Sequence, residues 1–250
     1  MELRRIHLPR AALQQMSESE RAFLFLAGHM QNELNSLHKV FAWCLHGPDA
    51  TSPIESLADG VQAQVYARLL AGKLLEAWNV LGTAFFGAGI SMRIVALLHP
   101  VAQEALAKLK MYFGKSSLIY RVRNSFAFHY DAQELERHWE KVADNPNFEI
   151  ILGGTVGNNM YIASELVVNS AVLNATSQQD EAAALETFLD EVQSVASHFT
   201  SFLEGAILVL LESALPTPLA GQSRCESIEP RFCFGDVAIP HFYDHGPGDA

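Results

Sequence analysis

The chain has 250 residues, 49% hydrophobic and 18% charged, a globular composition that excludes wholesale disorder and allows a large buried core. Its 28 acids against 17 bases give a formal net charge of −11, which opposes a non-specific DNA coat but leaves room for a local basic site. Three scattered cysteines, Cys44, Cys225 and Cys233, make neither a disulfide framework nor a CxxC zinc pair.

Residues 1–15 read as a short lead-in with no secretory apolar core. Ser17-Glu18-Ser19-Glu20 has the form of a capping box. The apolar residues Phe23, Ala27, Met30, Leu34, Leu37, Phe41 and Cys44 then fall at alternating steps of four and three, which predicts a long helix ending near Gly47-Pro48. A second long helix is expected over 54–86, with Val61, Val65, Leu69, Leu74, Trp78 and Leu81 near one face and Gly87-Ala88-Gly89 as its stop. Helical pattern returns at 91–98. Pro100 breaks it and starts the next helix, which Gly114 ends.

The segment Ser117–Tyr130 follows, and Asp131-Ala132-Gln133-Glu134 looks like a capping box for a helix reaching about Asp144. Phe148–Leu152 is a strand-like run without an evident partner, and Gly153-Gly154-Thr155-Val156-Gly157 a flexible loop. Two further helices are expected at 159–173 and 181–215. Pro216, Pro218, Pro230, Pro240 and Pro247 cluster beyond them, so 216–250 reads as an irregular tail. Its Phe232, Phe234, Phe242 and Tyr243 suggest that parts of it pack on the bundle or on a partner. The reading is an all-α bundle of long antiparallel helices over 1–215 with the tail at 216–250. The most apolar runs, Phe23–Ala27 and Ala206–Leu211, are far short of the roughly 20 residues that span a bilayer. The expectation is a soluble, cytoplasmic protein with no membrane partner.

Chemistry concentrates in Tyr120-Arg121-Val122-Arg123-Asn124-Ser125-Phe126-Ala127-Phe128-His129-Tyr130-Asp131, where polar groups stand among large apolar ones. Polar groups so placed must be paired, solvated in a cleft or used, because a buried unpaired one costs roughly 1–3 kcal/mol. The segment lies beside a predicted helix N-terminus, whose free N–H groups favour anions. Other candidates are weaker. His29, Asn32, Glu33, Asn35 and His38 make a polar helix face that reads as solvated. His241-x-x-Asp244-His245 is a poor metal site in an irregular segment. Gly153-Gly154-x-x-Gly157 lacks both GxGxxG spacing and a Lys-Ser/Thr pair, so it reads as a turn. No HExxH, Glu-x-x-His or Gly-x-Ser-x-Gly is present. No metal or cofactor is expected.

Arg123-Asn124-x-x-x-x-His129, an arginine, a polar residue and a histidine with five residues between Arg and His, resembles the motif of the HEPN superfamily. The resemblance rests on residues 117–145 and on the helical layout of 17–215, and does not cover the tail. Arg93-Ile94-x-x-x-x-His99 has the same spacing but an apolar residue in second place and Pro100 directly after it. The resemblance implies an all-helical fold and, for many members, metal-independent RNA endonuclease activity on a homodimer that brings two such segments together. By that resemblance His129 exchanges a proton with the RNA 2′-hydroxyl or the leaving oxygen, Arg123 holds the scissile phosphate and Asn124 orients one of them. Arg121, Tyr130 and Asp131 support them. On a straight helix Arg123 and His129 would stand about 9 Å apart along the axis. The alternative is a HEPN-like interaction module with a protein partner, in which Arg123 pairs with Asp131 or Glu134 and His129 fills a helix junction.

Overall fold

The computed structural model describes residues 1–123, 132–140, 142, 148–174, 176, 181–215, 219 and 223–244. Helices dominate them, and the fold is all-α as the periodicity predicts. The chain forms two compact units. Met1–Ser36, Lys73–Lys115 and Ser194–Phe232 make the first, and Leu37–Gly72, Ser116–Gln193 and Cys233–Ala250 the second. Three long helices contribute to both: α2 (Glu18–His46), α3 (Pro53–Leu81) and α9 (Glu181–Ala214).

In the first unit, α2 starts at the expected capping box. The Glu20 N–H donates to Ser17 Oγ (3.3 Å) and the Ser17 N–H to Glu20 Oε2 (3.1 Å), satisfying two free donors of the first turn. Ser17→Ala should therefore lower the unfolding free energy by about 1 kcal/mol, read by urea denaturation. Phe23, Ala27, Met30 and Leu34 of the predicted stripe are buried. The chain runs antiparallel to α2 on its way back: Lys73 donates to Glu33 (2.8 Å), and Phe85 meets Phe23 at 5.0 Å between ring centroids. Phe85 lies in a π-helical turn, Gly82–Gly87, and packs edge-on against Phe202 of α9 at 5.3 Å. Gly89, at φ +73°, turns the chain into α4 (Ile90–Ile94), a left-handed conformation that glycine adopts without strain. α5 (Pro100–Phe113) starts on its proline as expected, and Phe113 stacks on Trp78 at 5.0 Å.

α5 and α9 touch at Gly205. A Cβ there would lie 2.5 Å from the Ala102 Cβ. Glycine to alanine inside a helix ordinarily gains up to about 1 kcal/mol. Here the sign should reverse, with Gly205→Ala costing about 1–3 kcal/mol in denaturant melts. Ala102→Gly in the same chain should recover most of the loss.

Two expectations for this unit are corrected. Residues 1–15 are not a plain lead-in: Glu2–Ile6 form strand β1 and Arg10–Gln15 a short helix, α1. β1 pairs antiparallel with β2 (Ser223–Ser227), Glu2 opposite Ser227 and Ile6 opposite Ser223, inside the segment read as irregular. Both strands are largely exposed, so neither carries the apolar alternation that betrays a half-buried strand.

In the second unit, α3 buries small residues. Ala58, Ala63, Ala67, Leu70 and Ala71 are buried, whereas the expected Val61, Val65 and Leu69 are half-buried. Small side chains let neighbouring backbones approach closely, so this part of the packed face is carried largely by alanines. α6 (Leu118–Val122) and α7 (Ala132–Trp139) flank the motif, and α8 (Ile162–Asn174) follows. The run at 148–152 has a partner after all: Ile151 and Met160 exchange two N–H···O bonds of 2.8 Å in a single antiparallel bridge. Met160 and Ile162 bury against Ala58, with Val61, Ile151, Leu166 and Phe242 around them.

The helix Ala183–Ala214 is long and apolar enough to cross a membrane, its most apolar 18-residue stretch having a mean hydropathy of 1.5. Apolar residues spread along this helix thus exceed what the short uninterrupted runs imply. The helix is amphipathic: Phe188, Val192, Phe199, Phe202, Ala206 and Leu210 are buried in protein, while Glu186, Asp190, Glu204 and Glu212 are exposed.

Candidate functional site

Ser117 opens α6 by accepting the Tyr120 N–H on its hydroxyl (3.2 Å). Leu118, Ile119 and Val122 are buried, which pins the helix and sends Tyr120 and Arg121 outward. Arg123 stands at the C-cap, half-buried, its backbone N–H donating to the carbonyls of Ile119 and Tyr120. Of the expected site residues the structure thus places Arg121 and Arg123. Asn124, His129, Tyr130 and Asp131 lie outside the described residues, as does the side chain of Glu134. Beyond them α7 runs Ala132–Trp139, with His138 buried and Trp139 packed on Phe148 at 5.0 Å between centroids.

The Arg93–His99 pair has structural work to do. Arg93 forms an ion pair with Glu20, the residue that closes the α2 capping box. His99 is the N-cap of α5, and its Nδ1 accepts the Val101 N–H at 3.4 Å.

The polar face of α2 is likewise engaged. Glu33 bonds Lys73 and has His29 at 3.7 Å, and burial holds the His38 pKa below its ordinary value, favouring the neutral ring. Burial, with Asp59 nearby, pushes the Cys44 thiol up to about 11, so it is no thiolate nucleophile near neutral pH. The glycine loop is a turn: the Gly153 N–H donates to Asn159 Oδ1 (3.0 Å), and Val156–Asn158 form one 3-10 turn. No group of three or more His, Cys, Asp or Glu side chains placed to hold a metal occurs among the described residues.

Sequence reasoning missed one buried charge cluster. Arg68, 7% exposed in the apolar run Ala67–Ala71 of α3, donates from Nη2 to Glu165 Oε2 (2.7 Å) and from Nη1 to Asn169 Oδ1 (2.8 Å), both on α8. The available signal was the lone arginine among apolar neighbours. It also missed how the C-terminal segment docks. Phe234 packs on Trp43 at 6.1 Å, and Phe242 enters the cluster around Ala58, whereas Phe232 is 67% exposed.

No protein-family model, no curated protein and no solved structure matches this chain.

Proposed function

We propose that the chain is a HEPN-like helical protein of the cytoplasm that cuts RNA without a metal ion, with Arg123, Asn124 and His129 as the reacting set. The carrying observation is the polar pattern Arg123-Asn124-x-x-x-x-His129 at the end of a short helix. Arg123 stands half-buried at the C-cap of α6, with exposed Arg121 two residues before it. In this reading the RNA 2′-oxygen attacks phosphorus as its proton passes to a base, and the P–O5′ bond breaks as the leaving oxygen is protonated. His129 takes one of the two proton transfers, and Arg123 neutralises charge on the phosphoryl oxygens. A 2′,3′-cyclic phosphate is the product. Supporting contacts come from Arg121, Tyr130 and Asp131. A second copy of the chain would bring a second set to the same cleft.

The test is incubation of purified full-length protein with end-labelled RNA in excess EDTA. Cleavage to cyclic-phosphate ends is expected, at a rate that collapses in His129→Ala. No cleavage by folded protein, or equal cleavage by the variant, removes the proposal. Light scattering tests the dimer, and a monomeric mass at working concentration removes that part.

A second reading is a HEPN-like interaction module that binds a protein partner and performs no chemistry. The observations that favour it are the net charge of −11, which repels RNA over most of the surface, and the partial burial of Arg123. Its signature is the absence of RNA cleavage together with an unchanged fold in both Arg123→Ala and His129→Ala.

A further inference from the structure

Within the second unit, residues 234–243 lie on the protein as a bound peptide would. The contacts that hold them come from groove side chains reaching the segment's main chain. The Gln62 amide, oriented to satisfy both neighbours, donates to the Ile239 carbonyl and accepts the His241 N–H, each at 3.1 Å. Asn158 grips Tyr243 at both ends of its amide: Nδ2 donates to the Tyr243 carbonyl at 2.6 Å, and Oδ1 accepts its N–H at 3.0 Å. Side chains supply specificity. Phe242 packs beside Ala58, Met160 and Ile162, and Phe234 packs on Trp43. The Tyr243 hydroxyl occupies the space a Cβ on Gly157 would need. This is how extended peptides are read, with main-chain hydrogen bonds for affinity and pockets for individual side chains.

The fit is incomplete in ways that suit an exchangeable ligand better than a core element. A cavity of about 220 Å³ remains beside the segment, lined by Ala238–Phe242, the loop Pro48–Thr51, and Glu55 and Asp59 of α3. His241 Nε2 is buried there without a hydrogen-bond partner among the described residues. Such voids and unsatisfied groups lower the cost of release, because the contact has less to lose. The preceding residues, Ile228–Cys233, are all exposed and contain Pro230, a stiff connector between β2 and the docked segment.

We infer that this groove is an extended-peptide site, filled in the resting chain by its own residues 234–243, and that its partner in trans is the same segment of a second copy. Two chains that exchange these segments keep every contact described above, so association costs only the loss of the intramolecular link.

The experiment uses the full-length chain. A fluorescein-labelled peptide of residues 233–244 is titrated into a segment variant, Phe242→Ala with Tyr243→Ala, whose groove is intact but poorly filled. Saturable binding is expected, weaker by about tenfold or more in the wild-type chain, where the tethered segment competes, and in the segment variant that also carries Gln62→Ala and Asn158→Ala. Differently labelled segment variant and groove variant (Gln62→Ala with Asn158→Ala, segment intact) are then mixed. Energy transfer should rise, and excess unlabelled peptide should abolish it. Absence of saturable peptide binding to folded segment variant overturns the site. Peptide binding without energy transfer on mixing overturns the assignment to a second copy. Should circular dichroism show a double variant unfolded, the single changes Tyr243→Ala and Asn158→Ala serve in its place.

Discussion

Glu165→Ala should lower the unfolding free energy by about 3–5 kcal/mol. The Arg68 side chain is 9% exposed and that of Glu165 23%, so neither charge is solvated well enough to stand alone. Arg68 has two partners, and removing Glu165 leaves a positive guanidinium with only the neutral Asn169 amide. The cost is therefore chiefly that of an uncompensated buried charge, and the attraction itself is a smaller part of it. This distinction makes a second result predictable. Arg68→Met combined with Glu165→Leu removes both charges and fills similar volume, so the double variant should lie within about 1–2 kcal/mol of wild type. Glu165→Gln keeps a hydrogen-bond acceptor without the charge and should fall between them. Urea titration followed by circular dichroism at 222 nm reads all three. A Glu165→Ala loss equal to that of the double variant would show that the pair acts only through its packing.

The cluster also illustrates which parts of this molecule the residue pattern could reveal. Helices are closed by bonds four residues apart and start with local caps, so Ser17-x-x-Glu20 and the stripe from Phe23 to Phe41 announced α2 directly. Pro100 and the break after Phe113 bounded α5 for the same reason. Partners far along the chain leave no such trace. Glu165 is 97 residues from Arg68, Glu226 is 221 from Arg5, and Tyr243 is 85 from Asn158. β1 and β2 are largely exposed and pair mainly through backbone groups, which every sequence supplies, with one ion pair, Arg5–Glu226, across them. On α3 the predicted Leu74 and Leu81 are buried, but toward its start the pattern missed the buried alanines because it weights bulk, while close helix contact selects alanine. At the candidate site, spacing alone offered two arginine–histidine pairs of equal merit. The sequence separates them by Asn124 against Ile94 and by Pro100 after His99, and the fold adds that Arg93 and His99 have structural partners in Glu20 and the Val101 N–H.

That separation shapes the second large expected effect. In the RNA-cleavage assay His129→Ala should slow cleavage by about 10²–10⁴-fold, the range lost when a positioned proton-transfer group is removed. Arg123→Lys should also be costly, because an ammonium cannot replace the planar fork that neutralises two phosphoryl oxygens at once. Arg121 is exposed, so Arg121→Ala should act mainly on RNA affinity, raising KM and flattening its salt dependence while leaving kcat near wild type. The informative control is the competing pair. Arg93→Ala breaks the ion pair with Glu20, and His99→Ala removes the α5 cap, so both should lower Tm. Neither should change the cleavage rate at a temperature where the variants remain folded. Opposite patterns at the two pairs, rate without stability at His129 and stability without rate at Arg93 and His99, would assign chemistry to the 123–129 segment on grounds that motif spacing cannot supply. A rate unchanged in His129→Ala would remove the ribonuclease reading and leave the segment as a structural junction.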